Sequence, residues 1–216
     1  MLNLYLHDKF FQTFEHILLQ IMNSFIFIAF NILFLPFSAP RLVIGAVYQH
    51  LGESMRLLWD KDLRMNTIHV KDLCEAIWFL MKLKEAHGEV YNAVDDGNTT
   101  QGRVTDLIAS IFNISYDFCG KVMSTLTTVD KFNLMEEIND KHLAPWAEAC
   151  AASGVTNTPL SSYIHKELLY KHLHLSNSKL TAAGFKCSVP EINKQVLIEV
   201  VNDYIGMNLF PRSVMS

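Results

Sequence analysis

Cysteine is scarce in this chain of 216 residues: four residues stand at positions 74, 119, 150 and 187, none in a Cys-x-x-Cys pair. They are too few and too far apart to staple a fold, and read as free, mostly buried thiols of a reducing compartment. A dominant charge sign is missing too. Eighteen Lys and Arg against 22 Asp and Glu leave a formal charge of −4. There is no basic block, so nucleic acid is excluded as a partner. No internal repeat or low-complexity segment occurs. Ser161, Ser162 and Cys150 lack a flanking nucleophile-elbow pattern, which leaves a covalent hydrolase without support. His165, His172 and His174 place three imidazoles within ten residues, but no cysteine or paired acid completes a ligand set, and no metal site is expected. Half the residues are hydrophobic, enough to build a real core for one large domain.

A long uncharged run that is also strongly apolar occurs in one place. Residues 17–35, ILLQIMNSFIFIAFNILFL, run for nineteen positions without a charge, long enough to cross a bilayer. Gln20, Asn23, Ser24 and Asn31 dilute the run. Ser38-Ala39 suits a signal cleavage site, but Phe37 is large for that position, and Asp8 and Glu15 spoil a positive leading segment. Three readings follow: a membrane segment, a secretory signal, or a buried or non-native start to a fold that begins near Pro36. The chain accordingly divides into a hydrophobic amino-terminal segment (1–40), an α/β domain (41–206) and a loose tail (207–216). The localisation expected is cytoplasmic, with membrane association through residues 17–35 as the alternative.

What is present is organised around residues 64–83, RMNTIHVKDLCEAIWFLMKL. A short β-like run, 66–70, changes period at Lys71-Asp72 and continues as a helix whose stripe is Leu73, Ile77, Leu80 and Met81. Asp72 and Glu75 have the spacing of a capping box. A turn at His87-Gly88 leads to a second strand, 89–94. Strand, helix and strand in so little chain mark an α/β unit. Upstream, 41–51 reads as a helix with Pro40 in its first turn and Gly52 at its end, and 55–59 as a strand. Downstream, Asp95-Asp96-Gly97-Asn98 is a turn, with Thr99 or Thr100 capping a helix over 103–112. Residues 114–118 read as a strand, 122–138 as a helix and 139–159 as a loose segment that is part helix. Tyr163 to His174 mixes charge and aromatics. Pro190 opens a last helix over 191–204, stopped by Gly206.

The order of these elements resembles the carboxy-terminal half of an extended short-chain dehydrogenase of the NAD-dependent epimerase/dehydratase type, over residues 41–205. Three places carry the likeness. Thr67-Ile68-His69-Val70-Lys71-Asp72-Leu73, with Ala76-Ile77, is similar to the family's strand-into-helix motif. Gly88-Glu89-Val90-Tyr91-Asn92-Ala93 resembles the strand that ends beside the substrate cleft. Ser176-Asn177-Ser178-Lys179-Leu180, with Ala183-Gly184-Phe185 and Pro190, resembles the late Ser-Lys, Leu-Gly-Phe and proline motif, Ala183 replacing the usual leucine.

The resemblance implies an α/β, partial Rossmann-like fold whose substrate-binding lobe is retained. It implies NAD or NADP as cofactor and an alcohol, sterol or sugar nucleotide as substrate. It assigns His69 to the cofactor and Arg64, Asn92 and Asp95 to the substrate side, where open α/β sheets place their ligands. The family's Gly-rich phosphate loop is absent: there is no GxGxxG, and the first glycine, Gly45, falls inside a helix. Its Tyr-x-x-x-Lys pair is absent from residues 41–205 as well, since Tyr163-x-x-Lys166 and Tyr170-Lys171 have the wrong spacing. The expectation is therefore a truncated, inactive form with no catalytic residue of its own. The alternative is a non-catalytic, partner-binding or membrane-associated fragment. A crossover without its neighbouring strands leaves a sheet edge and helix faces to be covered by residues 17–35, by a membrane, or by another chain, a second copy included.

Overall fold

The structure, a computed structural model, describes residues 26–28, 38–120, 131–163 and 174–215. They form β1 (Ile26–Ile28), α1 (Ser38–Leu51), β2 (Met55–Leu57), α2 (Val70–Lys82), β3 (Val90–Asn92), α3 (Gln101–Phe112), β4 (Tyr116–Phe118), α4 (Lys131–Ala152), α5 (Ser178–Ala182) and α6 (Lys194–Gly206). β1 pairs in parallel with β3, Ile26 opposite Val90, and β2 pairs in parallel with β4, Met55 opposite Tyr116. Parallel neighbours cannot be joined by a hairpin, so helices carry the crossovers. The result is a small α/β domain of alternating helices and parallel strands.

The main core lies among the helices. α1 turns Leu42, Val43, Ala46 and Val47 inward, α3 contributes Leu107, Ile108 and Phe112, and α6 contributes Leu197, Val200, Val201 and Tyr204. Gly45 lets α1 approach α3. A Cβ there would stand 2.5 Å from the Phe112 ring, so only hydrogen fits the crossing. A smaller cluster packs α2 against β3 and the segment around α5 through Ala76, Leu80, Tyr91, Leu180 and Phe185.

Several sequence expectations are corrected here. A transmembrane reading of residues 17–35 fails at its centre, because Ile26–Ile28 is an extended strand hydrogen-bonded to β3. Among the described residues no helix is long and apolar enough to cross a membrane, and the remainder of 17–35 lies outside them. The strand expected at 66–70 does not form. Asn66 is in left-handed backbone, Ile68 makes no more than a single bridge, and α2 already begins at Val70. The strands expected over 55–59, 89–94 and 114–118 shorten to β2, β3 and β4. The helix expected over 122–138 is present from Lys131 and runs on to Ala152, through the first part of the segment expected to be loose and part helical. Pro145 has no N–H to give Lys141, which makes the stretch read as irregular. Burial of Trp146, Ala149 and Cys150 in the core holds it helical nonetheless. The earlier part of that expected helix, up to residue 130, lies outside the described residues.

The last helix starts at Lys194, not after Pro190. Asn193 caps it, its Oδ1 accepting from Val196 N at 3.1 Å. The expected loose tail is also corrected: Phe210 and Val214 are buried in the main core. Phe112 and Phe210 stack at 6.3 Å between centroids.

Candidate functional site

Asp72 does not cap α2. His69 does, with extended backbone and Nδ1 accepting from Lys71 N at 3.2 Å. Asp72 sits one turn further on, fully buried, and reaches across the fold. Its Oδ1 accepts from Ser188 N at 2.7 Å and from Ser188 Oγ at 2.6 Å, and its Oδ2 accepts from Val189 N at 2.9 Å. Burial opposes the charge, but the donors from Ser188 and Val189 outweigh it and hold the carboxyl below its ordinary range. Glu75, the other half of the expected capping box, pairs instead with Lys71 at 3.8 Å on the surface.

A second carboxylate lies at the turn after β3. Asp95 is 4% exposed. Its Oδ2 accepts from Thr67 Oγ1 at 2.6 Å and its Oδ1 from Gly97 N at 3.0 Å. Thr67 Oγ1 is also 2.8 Å from Thr99 Oγ1. Desolvation raises the Asp95 pKa to about 6, with Asp96 and Asp72 adding to the rise and the bonds from Thr67 and Gly97 opposing it. A carboxyl that titrates there can exchange a proton near neutral pH. In this arrangement, however, both its oxygens are turned inward.

The other expected substrate-side residues lie around the same turn. Arg64 Nη1 donates to the Asn98 carbonyl at 2.8 Å, and Arg64 pairs with Thr100 in an isolated antiparallel bridge. Asn92, at the end of β3, donates from Nδ2 to the Ser176 carbonyl at 3.1 Å. The structure thus joins Arg64 and Asp95 through the 95–100 segment. It ties Asn92 to the chain entering α5. His69 stays at the cap of α2, where its only described link to the cluster is electrostatic, toward Asp72.

Three residues belong to this cluster that the sequence pattern does not single out. Asn66, in left-handed backbone, clamps Leu175, accepting from its N at 2.8 Å and donating to its carbonyl at 3.4 Å. Asn177 Nδ2 donates to Val94 O at 3.2 Å and to Asp96 Oδ1 at 2.6 Å. Ser188 is the third. The signal for Asn66 and Asn177 is residue type alone, an amide at a chain reversal. Ser188 carries none beyond its place before Pro190.

A pocket beside the turn is lined by Asp96, Asn177, Leu180, Thr181, Phe185, Lys186 and Cys187. At about 240 Å³, open mouth included, it is smaller than the usual site of a drug-sized ligand. Burial and the nearby Asp72, Asp96 and Asp95 push the Cys187 thiol up to about 12, so it is no nucleophile.

The described residues do not fit a dinucleotide pyrophosphate, which needs free N–H groups at a glycine-lined helix start. Gly102 opens α3, but its N donates to Lys61 O at 2.9 Å and Gln101 N donates to Leu63 O at 2.8 Å. Arg103 N is taken by Thr100 Oγ1 at 3.2 Å. Gly45 is filled against Phe112. No group of three or more metal-ligating side chains occurs among the described residues, where His174 lies but His165 and His172 do not. No protein-family model matches this chain, and no curated protein matches it.

Proposed function

We propose that this chain is the carboxy-terminal part of an NAD(P)-dependent oxidoreductase or epimerase scaffold of the extended short-chain dehydrogenase type. In this reading its parallel strand pairs are the remnant of a Rossmann-like sheet. The segment 175–190 belongs to the lobe that lies over an alcohol, sterol or sugar-nucleotide substrate. One observation carries the reading. The three stretches that resemble the family are joined by hydrogen bonds into one unit: Asp72 to Ser188 and Val189, Asn92 to Ser176, and Asn177 to Val94. A chance likeness in three separate places gives no reason for those places to meet.

The same chain is catalytically silent in this reading. Residues 41–205 hold no Tyr-x-x-x-Lys pair, and at the start of α3, where Gly102 lies, the N–H groups of Gln101, Gly102 and Arg103 are already taken. No hydride step is therefore assigned to it. Four free thiols suit a reducing, cytoplasmic setting. Urea unfolding followed by the fluorescence of Trp59, Trp78 and Trp146, with and without millimolar NAD or NADP, tests the reading. A midpoint indifferent to both nucleotides is expected. A midpoint that rises with either, by linkage, overturns the silent assignment. Interstrand contacts that fail to place β1 parallel to β3 overturn the family reading itself.

A further inference from the structure

The turn after β3 holds a buried acid with no basic side chain hydrogen-bonded to it among the described residues. Asp95 receives one hydroxyl and one backbone N–H, half of what an ionised carboxylate can accept. The groups that face it are mostly acidic or neutral. Asp96 is on its own turn, Asp72 comes from α2, and the Cys187 thiol comes from the loop after α5. Lys186 lines the neighbouring pocket with Asp96, and Arg64 reaches the same turn through the Asn98 carbonyl. His69 lies beyond Asp72, at the cap of α2.

The hydroxyls of Thr67 and Thr99 make this acid tolerant of a proton. With Asp95 ionised, Thr67 donates to it and Thr99 donates to Thr67. With Asp95 protonated, the carboxyl donates to Thr67 and Thr67 donates to Thr99. Both hydrogen-bond directions use the same heavy-atom positions, 2.6 and 2.8 Å apart. Around this relay three chain segments converge. Asp95 N donates to Thr67 O at 2.7 Å, Met65 N to Thr99 O at 3.0 Å and Asp96 N to Pro190 O at 2.9 Å. Asn177 closes the third side through Val94 and Asp96.

We propose that Asp95 is a proton-operated latch, tightened by acidification, that fastens the 95–99 turn to residues 65–67 and to the segments at 177 and 190. The inference does not depend on the family reading. The sign is set by burial. Below the ordinary aspartate range both folded and unfolded chains are protonated and the stabilisation is complete. It is lost as pH rises from 3.8 to about 6, and above that the folded chain carries the buried charge.

Asp95→Asn is a permanent mimic of the protonated latch. At pH 7.5 it is expected to raise the folding constant by up to about a hundredfold over wild type, and at pH 4 the two are expected to converge. Amide exchange at Met65, Asp95 and Asp96 slows in the variant at pH 7.5. In the wild-type protein the Asp95 carboxyl carbon, followed by NMR, titrates well above the ordinary aspartate range, a measurement that needs no variant to fold. Parallel stability profiles at every pH overturn the latch, and so does an Asp95 carboxyl that titrates near 4.

Discussion

Two regions of this molecule are held together by different means. The helical layer of α1, α3, α4 and α6 is joined by side chains that are almost all apolar. The crossover region, from Arg64 to Asn98 with 175–190 laid over it, has small apolar clusters and a dense set of side-chain-to-backbone hydrogen bonds. Each region contains a buried group that titrates between about pH 4 and 6 and whose charge is costly, and the two differ in how they meet it. Asp95 has donors and a hydroxyl relay. His142, in α4, is 1% exposed, and neither ring nitrogen has a hydrogen-bond partner among the described residues. Its ring meets the Tyr48 ring edge-on at 5.4 Å, and desolvation, with Lys141 adding to it, lowers its pKa to about 4. The apolar layer tolerates a polar group by keeping it neutral. The crossover uses polar groups as its joints.

The largest effect that would break this contrast lies in the helical layer. Phe112→Ala removes a fully buried ring and is expected to cost about 3–5 kcal/mol in urea unfolding. A loss below 1 kcal/mol would mean that the layer is loosely packed. Next is His142. As pH falls from 6.5 to about 4 the unfolded chain takes a proton that the folded imidazole refuses, so stability drops by at most about 3 kcal/mol. His142→Leu is expected to remove that slope. Asp95 titrates in the opposite sense over the same window, so the slope is read as the difference between wild type and variant.

In the crossover, Asp72→Ala strands the Ser188 and Val189 donors and is expected to cost about 2–3 kcal/mol. The contribution of Asp72 is present above the ordinary carboxylate range and lost as pH falls through its lowered folded value, so the penalty shrinks in acid. Gly45→Ala forces a methyl into the Phe112 ring and costs about 1–3 kcal/mol. The smallest effect is expected at the surface. Lys179→Ala breaks the exposed pair with Glu89, 2.7 Å long, and leaves the urea midpoint nearly unchanged. A clear shift there would show that the bond from Lys179 to the Val90 carbonyl, at 2.9 Å, matters more than the ion pair.

Periodicity made α1, α2, α3 and α6 legible, because each has an apolar stripe with a break at its end. Thr100 as a cap was legible for the same reason that threonine suits that position: its Oγ1 accepts from Arg103 N. α4 was legible as a helix only as far as residue 138, since Pro145 and a run of small residues weaken the pattern that burial restores beyond it. β2, β3 and β4 were legible in place but not in length, because three-residue ladders leave little alternation to read; β1 was not, since it sits inside an uncharged apolar run that has no alternation at all. In the candidate site, the positions of Arg64, Asn92 and Asp95 around one turn follow from the strand ends. The partners of Asp72 were hidden. They lie more than a hundred residues away, at Ser188 and Val189, and two of the three contacts are backbone N–H groups that carry no residue identity.

Asn66 holds Leu175 in the way a neighbouring strand would, across 109 positions of sequence, and Asp72 waits for partners 116 and 117 positions later. On a ribosome adding about 5–20 residues per second, that is a delay of roughly 5–25 s. During it, α2 has been made but the chain that clamps its first turn has not. The crossover therefore cannot finish folding in the order of synthesis, and its apolar stripe has to be shielded until the last fifth of the polypeptide emerges.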